Sequence, residues 1–140
     1  MALSAAKLAV GDTHEAVVVE DLKRTQIVQY AGASGDFNPL HTDEPFATVA
    51  AGNPSVFAHG MLTMGLTGKM LTDWVGADRV TRFGGRFTGQ VWPGDTLTTA
   101  ATVEAIREED DEHFVDLTIS TVNQDGGSVF SGRASARVDP

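Results

Sequence analysis

Asp36 and His41 stand five positions apart in the stretch Gly35-Asp36-Phe37-Asn38-Pro39-Leu40-His41-Thr42-Asp43. A carboxylate and an imidazole at that spacing, on a loop bent by Asn38-Pro39, can hold one water molecule between them. Asp36 would take or orient its proton, and His41 would share the water and relay a proton, which is general acid–base chemistry. Asn38 is placed to shape the loop or to fix one of the two side chains. Taken alone, Asp-x-Asn-Pro is more often a simple turn, so this reading needs support from elsewhere in the chain.

A second group of candidates opens a long apolar stretch, at Ala58-His59-Gly60-Met61. The first amides of a helix have no intrahelical acceptor and suit developing negative charge. Gly60 carries no side chain, so a carbonyl can approach it closely, and its N–H is the candidate oxyanion donor. His59 and Met61 flank it as candidate substrate contacts, although a histidine at a helix start is more often structural. Arg86 is a third candidate contact, for phosphates or an acidic partner, weighed equally with Arg82 against a plain charged sheet edge. Met61, Met64 and Met70 read most simply as core filler or apolar tunnel lining. No recognised metal-ligand spacing, Ser-His-Asp set or Gly-rich nucleotide loop is present, so neither metal nor cofactor is expected.

The elements that must position these groups follow from the hydrophobic period. Glu15–Glu20 is a β-branched run and predicts a strand. Thr25 reads as the cap of a helix carrying Ile27, Tyr30, Ala31 and Ser34 on one face and ending at Gly35. Asp36–Thr42 reads as an irregular loop, and a short helix is expected from Asp43 through Ala50. Gly60–Val75 has helical spacing with apolar residues on more than one side, so burial around much of its circumference is expected. Gly60, Gly65 and Gly68 cost propensity there, about 1 kcal/mol each relative to alanine, in return for close approach of strands. After the stop at Gly76 the period becomes two. Val80–Val91 predicts a strand with a bulge at Gly84-Gly85. Pro93-Gly94-Asp95 is a turn, and Leu97–Ala105 forms the next strand face. Glu108–Glu112 is read as a solvated hairpin loop, followed by a strand face from Val115 to Thr121. A turn at Gln124–Gly127 leads to a last strand, Ser128–Val138.

The chain has 140 residues, 41% hydrophobic and 21% charged, which fits one globular domain with a sizeable core. The absence of cysteine removes disulfides, thiolate metal sites and a cysteine nucleophile. A net charge of −9 disfavours nucleic acid and anionic membrane as partners. No apolar run approaches the roughly 20 residues of a membrane span, and the N-terminus lacks the pattern of a secretory signal. A cytoplasmic protein is expected.

The core Gly35-Asp36-x-Asn38-Pro39-x-His41-x-Asp43 resembles the signature of the MaoC-like, or (R)-specific enoyl-CoA hydratase, family at every expected position. Ala58-His59-Gly60-Met61 resembles that family's entry into its central helix. Arg86-Phe87 with Pro93-Gly94-Asp95-Thr96-Leu97 resembles its following strand-turn-strand. The likeness covers nearly the whole chain and is especially close to small bacterial 3-hydroxyacyl dehydratases of type II fatty-acid or mycolic-acid elongation. It implies an α+β hot-dog fold spanning residues 1–140, an antiparallel sheet wrapped around the helix Gly60–Val75. It implies (R)-specific hydration of trans-2-enoyl thioesters of coenzyme A or acyl carrier protein, or the reverse dehydration, with Asp36 and His41 at the water and Gly60 at the thioester oxygen. It also implies a homodimer, or a heterodimer with a related subunit in which this chain is the catalytic member. A thioester hydrolase on the same fold is the competing activity, and the Asp36-Asn38-His41 set favours the hydratase. Acyl length, carrier and direction stay open, as does the group that protonates the alpha carbon.

Overall fold

The period-two stretches pair into one five-stranded antiparallel sheet in the computed structural model, which describes residues 2–140. The elements run β1 (Thr13–Val19), α1 (Arg24–Ser34), α2 (Gly60–Val75), β2 (Val80–Phe87), β3 (Leu97–Glu109), β4 (Glu112–Val122) and β5 (Ser128–Val138). Their spatial order is β1-β3-β4-β5-β2. The long strands β3, β4 and β5 therefore form the middle of the sheet, and β1 and β2 are its edges. The sheet packs around α2 in the expected hot-dog arrangement. No helix among the described residues is long and apolar enough to cross a membrane.

Alternation explains the core. Ala101 and Val103 on β3, Val115, Leu117 and Ile119 on β4, and Ala134, Ala136 and Val138 on β5 turn inward against Met70, Leu71 and Val75 of α2. Phe130 fills the space between β2 and the helix and is fully buried. A smaller apolar cluster joins Ile27 of α1 to Val19, Leu22, Ala58, Val91, Leu97 and Val129. It seats α1 and the entry to α2 on the same sheet.

Burial of α2 extends around much of its circumference, as expected, and leaves one narrow stripe open. Thr63, Thr67, Met70, Leu71 and Val75 are buried, whereas Met61, Gly65, Lys69 and Asp73, four residues apart, form an exposed stripe. Close approach accounts for two of its three glycines. A side chain at Gly60 would stand 3.0 Å from the Phe87 ring and one at Gly68 3.2 Å from the Phe83 ring, while Gly65 has nothing within 4 Å.

Four local expectations are corrected. Thr25 is not the cap of α1, because the helix begins at Arg24 with Lys23 as its cap residue. The Gln26 side chain instead accepts the Lys23 N–H. Gly84-Gly85 is not a bulge: Gly84 pairs with Arg133 and Gly85 with Gly132 in continuous register, and the irregularity lies between Val80 and Arg82. Glycine is needed at position 85 because a Cβ there would meet the Ser131 carbonyl at 2.5 Å and the Phe130 ring at 2.6 Å. β2 stops at Phe87 rather than Val91: the Thr88 N–H still donates to the Val129 carbonyl of β5, but by Val91 the chain has turned to the entry of α2, its carbonyl accepting the Ala58 N–H. The acidic run 108–112 is mostly strand. Only Asp110 and Asp111 turn, both at positive φ (52° and 62°), the two-residue geometry that matches strand twist and that aspartate tolerates.

Candidate active site

The loop after α1 is shaped by its own side chains. Gly35 ends the helix at φ 76°, a left-handed conformation suited to glycine. The Asn38 N–H then donates to Asp36 Oδ1 at 3.2 Å, and the Leu40 N–H donates to Asn38 Oδ1 at 3.0 Å. These are two consecutive Asx turns. Asn38 thus shapes the loop through its backbone and its side chain together. One Asp36 oxygen is engaged by the turn, and the residue is exposed to solvent. Asp43 stands apart from this group. Its carboxylate accepts the Phe46 N–H and caps the short helical segment that ends as a π-turn over Phe46–Ala50.

His41 is 9% exposed. Its Nδ1 lies 2.6 Å from the Phe57 carbonyl. A carbonyl only accepts, so Nδ1 carries the hydrogen and Nε2 is the nitrogen left to take a proton. The Phe57 ring meets the imidazole edge-on at 5.3 Å, and Trp92 lies edge-on to Phe57 at 5.7 Å. The same logic fixes His59, whose Nε2 lies 3.0 Å from the Asp36 carbonyl and donates to it. Its ring stacks on His41 with centroids 3.8 Å apart.

Asp36, His41 and His59 each offer one ligand-type atom within 4.8 Å of the others. The structure therefore brings together two residues joined by spacing and a third, 18 positions further on, that no spacing rule connects to them. Such a set is also a possible cation site by composition. Each histidine, however, already gives one nitrogen to a carbonyl, and the rings lie face to face at 25°. The nitrogen left on His59, Nδ1, is buried, and two stacked rings do not suit a shared tetrahedral ion, so the fit to a metal ion is poor.

Directly beside this cluster α2 begins. The His59 carbonyl accepts the Leu62 and Thr63 N–H groups at 3.1 and 3.4 Å, and no side chain caps the helix. The Gly60 and Met61 amides thus have no intrahelical acceptor. Met61 is itself 55% exposed. A carboxylate, an imidazole and two free helix amides share one corner of the molecule, an arrangement that can activate water and receive a developing oxyanion.

Arg86 is not brought into this corner. Alternation on β2 turns Phe83 and Phe87 toward α2 and Arg82, Gly84 and Arg86 to the opposite face. There Arg82, Arg86 and Arg133 line an open groove of about 630 Å³, next to a larger one of about 740 Å³ that includes Glu104, Arg107 and Asp116. Neither groove contains Asp36, His41 or His59.

Three supports escaped sequence reasoning. Tyr30 meets His59 edge-on at 4.8 Å, and its place beside Ile27 and Ala31 on one helical face was the available signal. The Phe57 carbonyl acts through backbone and left no signal. Glu44 joins Arg24 of α1 to the Val56 N–H just before the site. The Arg24 guanidinium and then the Val56 amide hold its carboxyl below the usual range, with burial opposing weakly.

Comparison with known proteins agrees with this fold. The family model described as MaoC like domain matches residues 6–124. A 3-hydroxyacyl-thioester dehydratase Y of Mycobacterium tuberculosis is 46% identical over 69 residues, covering 47% of this chain and 24% of that protein. An enoyl-CoA hydratase, ChsH3, of the same organism is 46% identical over 67 residues, covering 46% and 23%. These matches thus span about a quarter of either relative's length. Among solved structures, the (R)-hydratase of A. caviae involved in PHA biosynthesis superposes with a TM-score of 0.82 at 27% identity, covering 96% of this chain and 99% of that one.

Proposed function

The chain belongs to the MaoC-like domain family, and from that membership we propose that it is a hydro-lyase that adds water to trans-2-enoyl thioesters or removes it from 3-hydroxyacyl thioesters. The observation that carries the proposal is the meeting of the Asp36 carboxylate, the free Nε2 of His41 and the open amides of α2 in one corner. In the hydration direction, one water sits between Asp36 and His41. As its oxygen bonds to the beta carbon, one of its protons passes to this pair. The electron pair of the double bond moves toward the thioester carbonyl, whose oxygen gains charge against the Gly60 N–H. A proton from the pair–water set then reaches the alpha carbon, and the site returns to its starting state. The relatives named as a dehydratase and a hydratase support this reaction class. Resemblance to (R)-hydratases supports the (R) hand.

Asp36, His41, Asn38 and Gly60 are the proposed catalytic machinery, with Met61 beside the incoming thioester. Arg86, on the reverse of the edge strand from Phe87, is the proposed contact for a coenzyme A or carrier-protein phosphate. The free edge of β2 suits pairing with a second hot-dog chain, either a copy or a related subunit. The test is a panel of 2-enoyl-CoA substrates of increasing length, after dialysis against a strong chelator, followed by loss of the conjugated-thioester absorbance. Absorbance is expected to fall without added metal or nucleotide. Release of free thiol instead of hydration would favour the hydrolase, and activity restored only by one metal would overturn the metal-free mechanism.

A further inference from the structure

His59 is 2% exposed, so its ring has almost no surface to offer a substrate. It nevertheless touches three separate parts of the site. Nε2 lies 3.0 Å from the Asp36 carbonyl, the ring face lies against His41 at 3.8 Å, and the ring also meets Tyr30 of α1 edge-on at 4.8 Å. Its backbone is the cap residue of α2, immediately before the free Gly60 amide. Its Nδ1 is buried with no hydrogen-bond partner. A phenyl ring would fill the same space without that orphan nitrogen. What a phenyl ring cannot do is donate to the Asp36 carbonyl.

We propose that His59 is the positioning residue of the site, setting the separation of Asp36 and His41 without meeting substrate. The donated hydrogen bond ties the acid's backbone to the start of α2, and the stacked face backs the His41 ring. One side chain thereby registers acid, base and helix amide against each other. For its kinetic consequence the inference rests on the proposed hydration. For its structural part it does not.

Two variants separate the contacts. H59F keeps a flat ring against His41 and Tyr30 but has no donor, whereas H59Q keeps a donor and loses the ring. On the best enoyl thioester, H59F is expected to lower kcat by about 10- to 100-fold with KM within about twofold, as displaced catalytic groups do. H59Q is expected to regain part of that loss. Independently of turnover, amide exchange at Asn38 and Leu40 should be faster in H59F than in the parent chain and slower again in H59Q. Unchanged kcat and exchange in folded H59F overturn the proposal. A raised KM at unchanged kcat also overturns it, because that marks a substrate contact. If the parent chain turns over no enoyl thioester, the hydration reading fails, while the exchange rates still decide whether His59 holds the loop. Should H59F not fold, H59Q decides: lacking the ring stacked on His41, it is expected to fall below the parent in kcat, and kcat and exchange both unchanged from the parent overturn the proposal.

Discussion

The inner face of α2 and the segment 35–59 that leads into it are built by different means. The helix face is held by apolar burial: Leu71, Val75 and Met70 lie against β3, β4 and β5, with Leu71 fully buried. Segment 35–59 is held by hydrogen bonds between side chains and backbone: the Asp36, Asn38 and Glu44 oxygens accept from the Asn38, Leu40 and Val56 N–H groups, and His41 and His59 donate to the Phe57 and Asp36 carbonyls. Burial is non-directional and supplies stability. Hydrogen bonds fix direction and distance, which is what a water held between two groups requires. The first region should therefore govern whether the chain folds, and the second how fast it works.

The sharpest contrast is expected from the proposed acid–base pair. Asp36→Asn and His41→Ala should each lower turnover of an enoyl thioester by about 10² to 10⁴-fold, the usual range for a lost general acid or base, with the fold intact by circular dichroism. Near-normal turnover in either folded variant removes that residue from its role. Leu71→Ala should do the reverse, costing about 2–5 kcal/mol in denaturant unfolding as buried leucine truncations do. It should leave kcat per folded molecule nearly unchanged, because position 71 lies about 16 Å along the helix from Gly60. A large loss of kcat at unchanged stability would break the division between the two regions.

Sequence patterning made the first region legible and only part of the second. The ends of α2 at Gly60 and Val75 and of β5 at Ser128 and Val138 follow directly from period and glycine punctuation. The same reasoning misplaced Gly84-Gly85 as a bulge, because a glycine that clears a neighbouring ring and carbonyl has the same sequence signature as one that kinks a strand. It also read five acidic residues as loop, although strand pairing needs only two of them, Asp110 and Asp111, to turn. In the site, Asp36, Asn38 and His41 were visible because they are local. The stack of His59 on His41 and the acceptor at Phe57 arise from tertiary folding and backbone, where spacing carries no information.

The smallest expected effect lies on the outer face of the sheet. The Arg107 hydrogen bond foremost, then Ser135 and the nearby charges of Arg107 and Arg82, hold the Asp116 carboxyl below its ordinary value against the opposing effect of burial. A lowered folded-state value means stability that is present above the unfolded pKa, about 3.9, and lost as pH falls through the folded one. With a third of the side chain exposed, the contribution is about 1 kcal/mol or less. Asp116→Asn should thus destabilise slightly at pH 7 and not at pH 2, with turnover at pH 7 unchanged. A marked loss of turnover would tie the outer face to the site and blur the comparison.

Product stereochemistry tests the central claim most directly. If Asp36 and His41 hold one water on a fixed face of the planar enoyl group while Gly60 holds its carbonyl, hydration of crotonyl-CoA, or of a longer 2-enoyl-CoA if that is preferred, gives one enantiomer. Chiral chromatography should show a single (R)-3-hydroxyacyl peak, and an (S)-specific 3-hydroxyacyl-CoA dehydrogenase should produce no NADH from it. A racemic product would contradict the single held water, and a pure (S) product would contradict the proposed hand of the reaction.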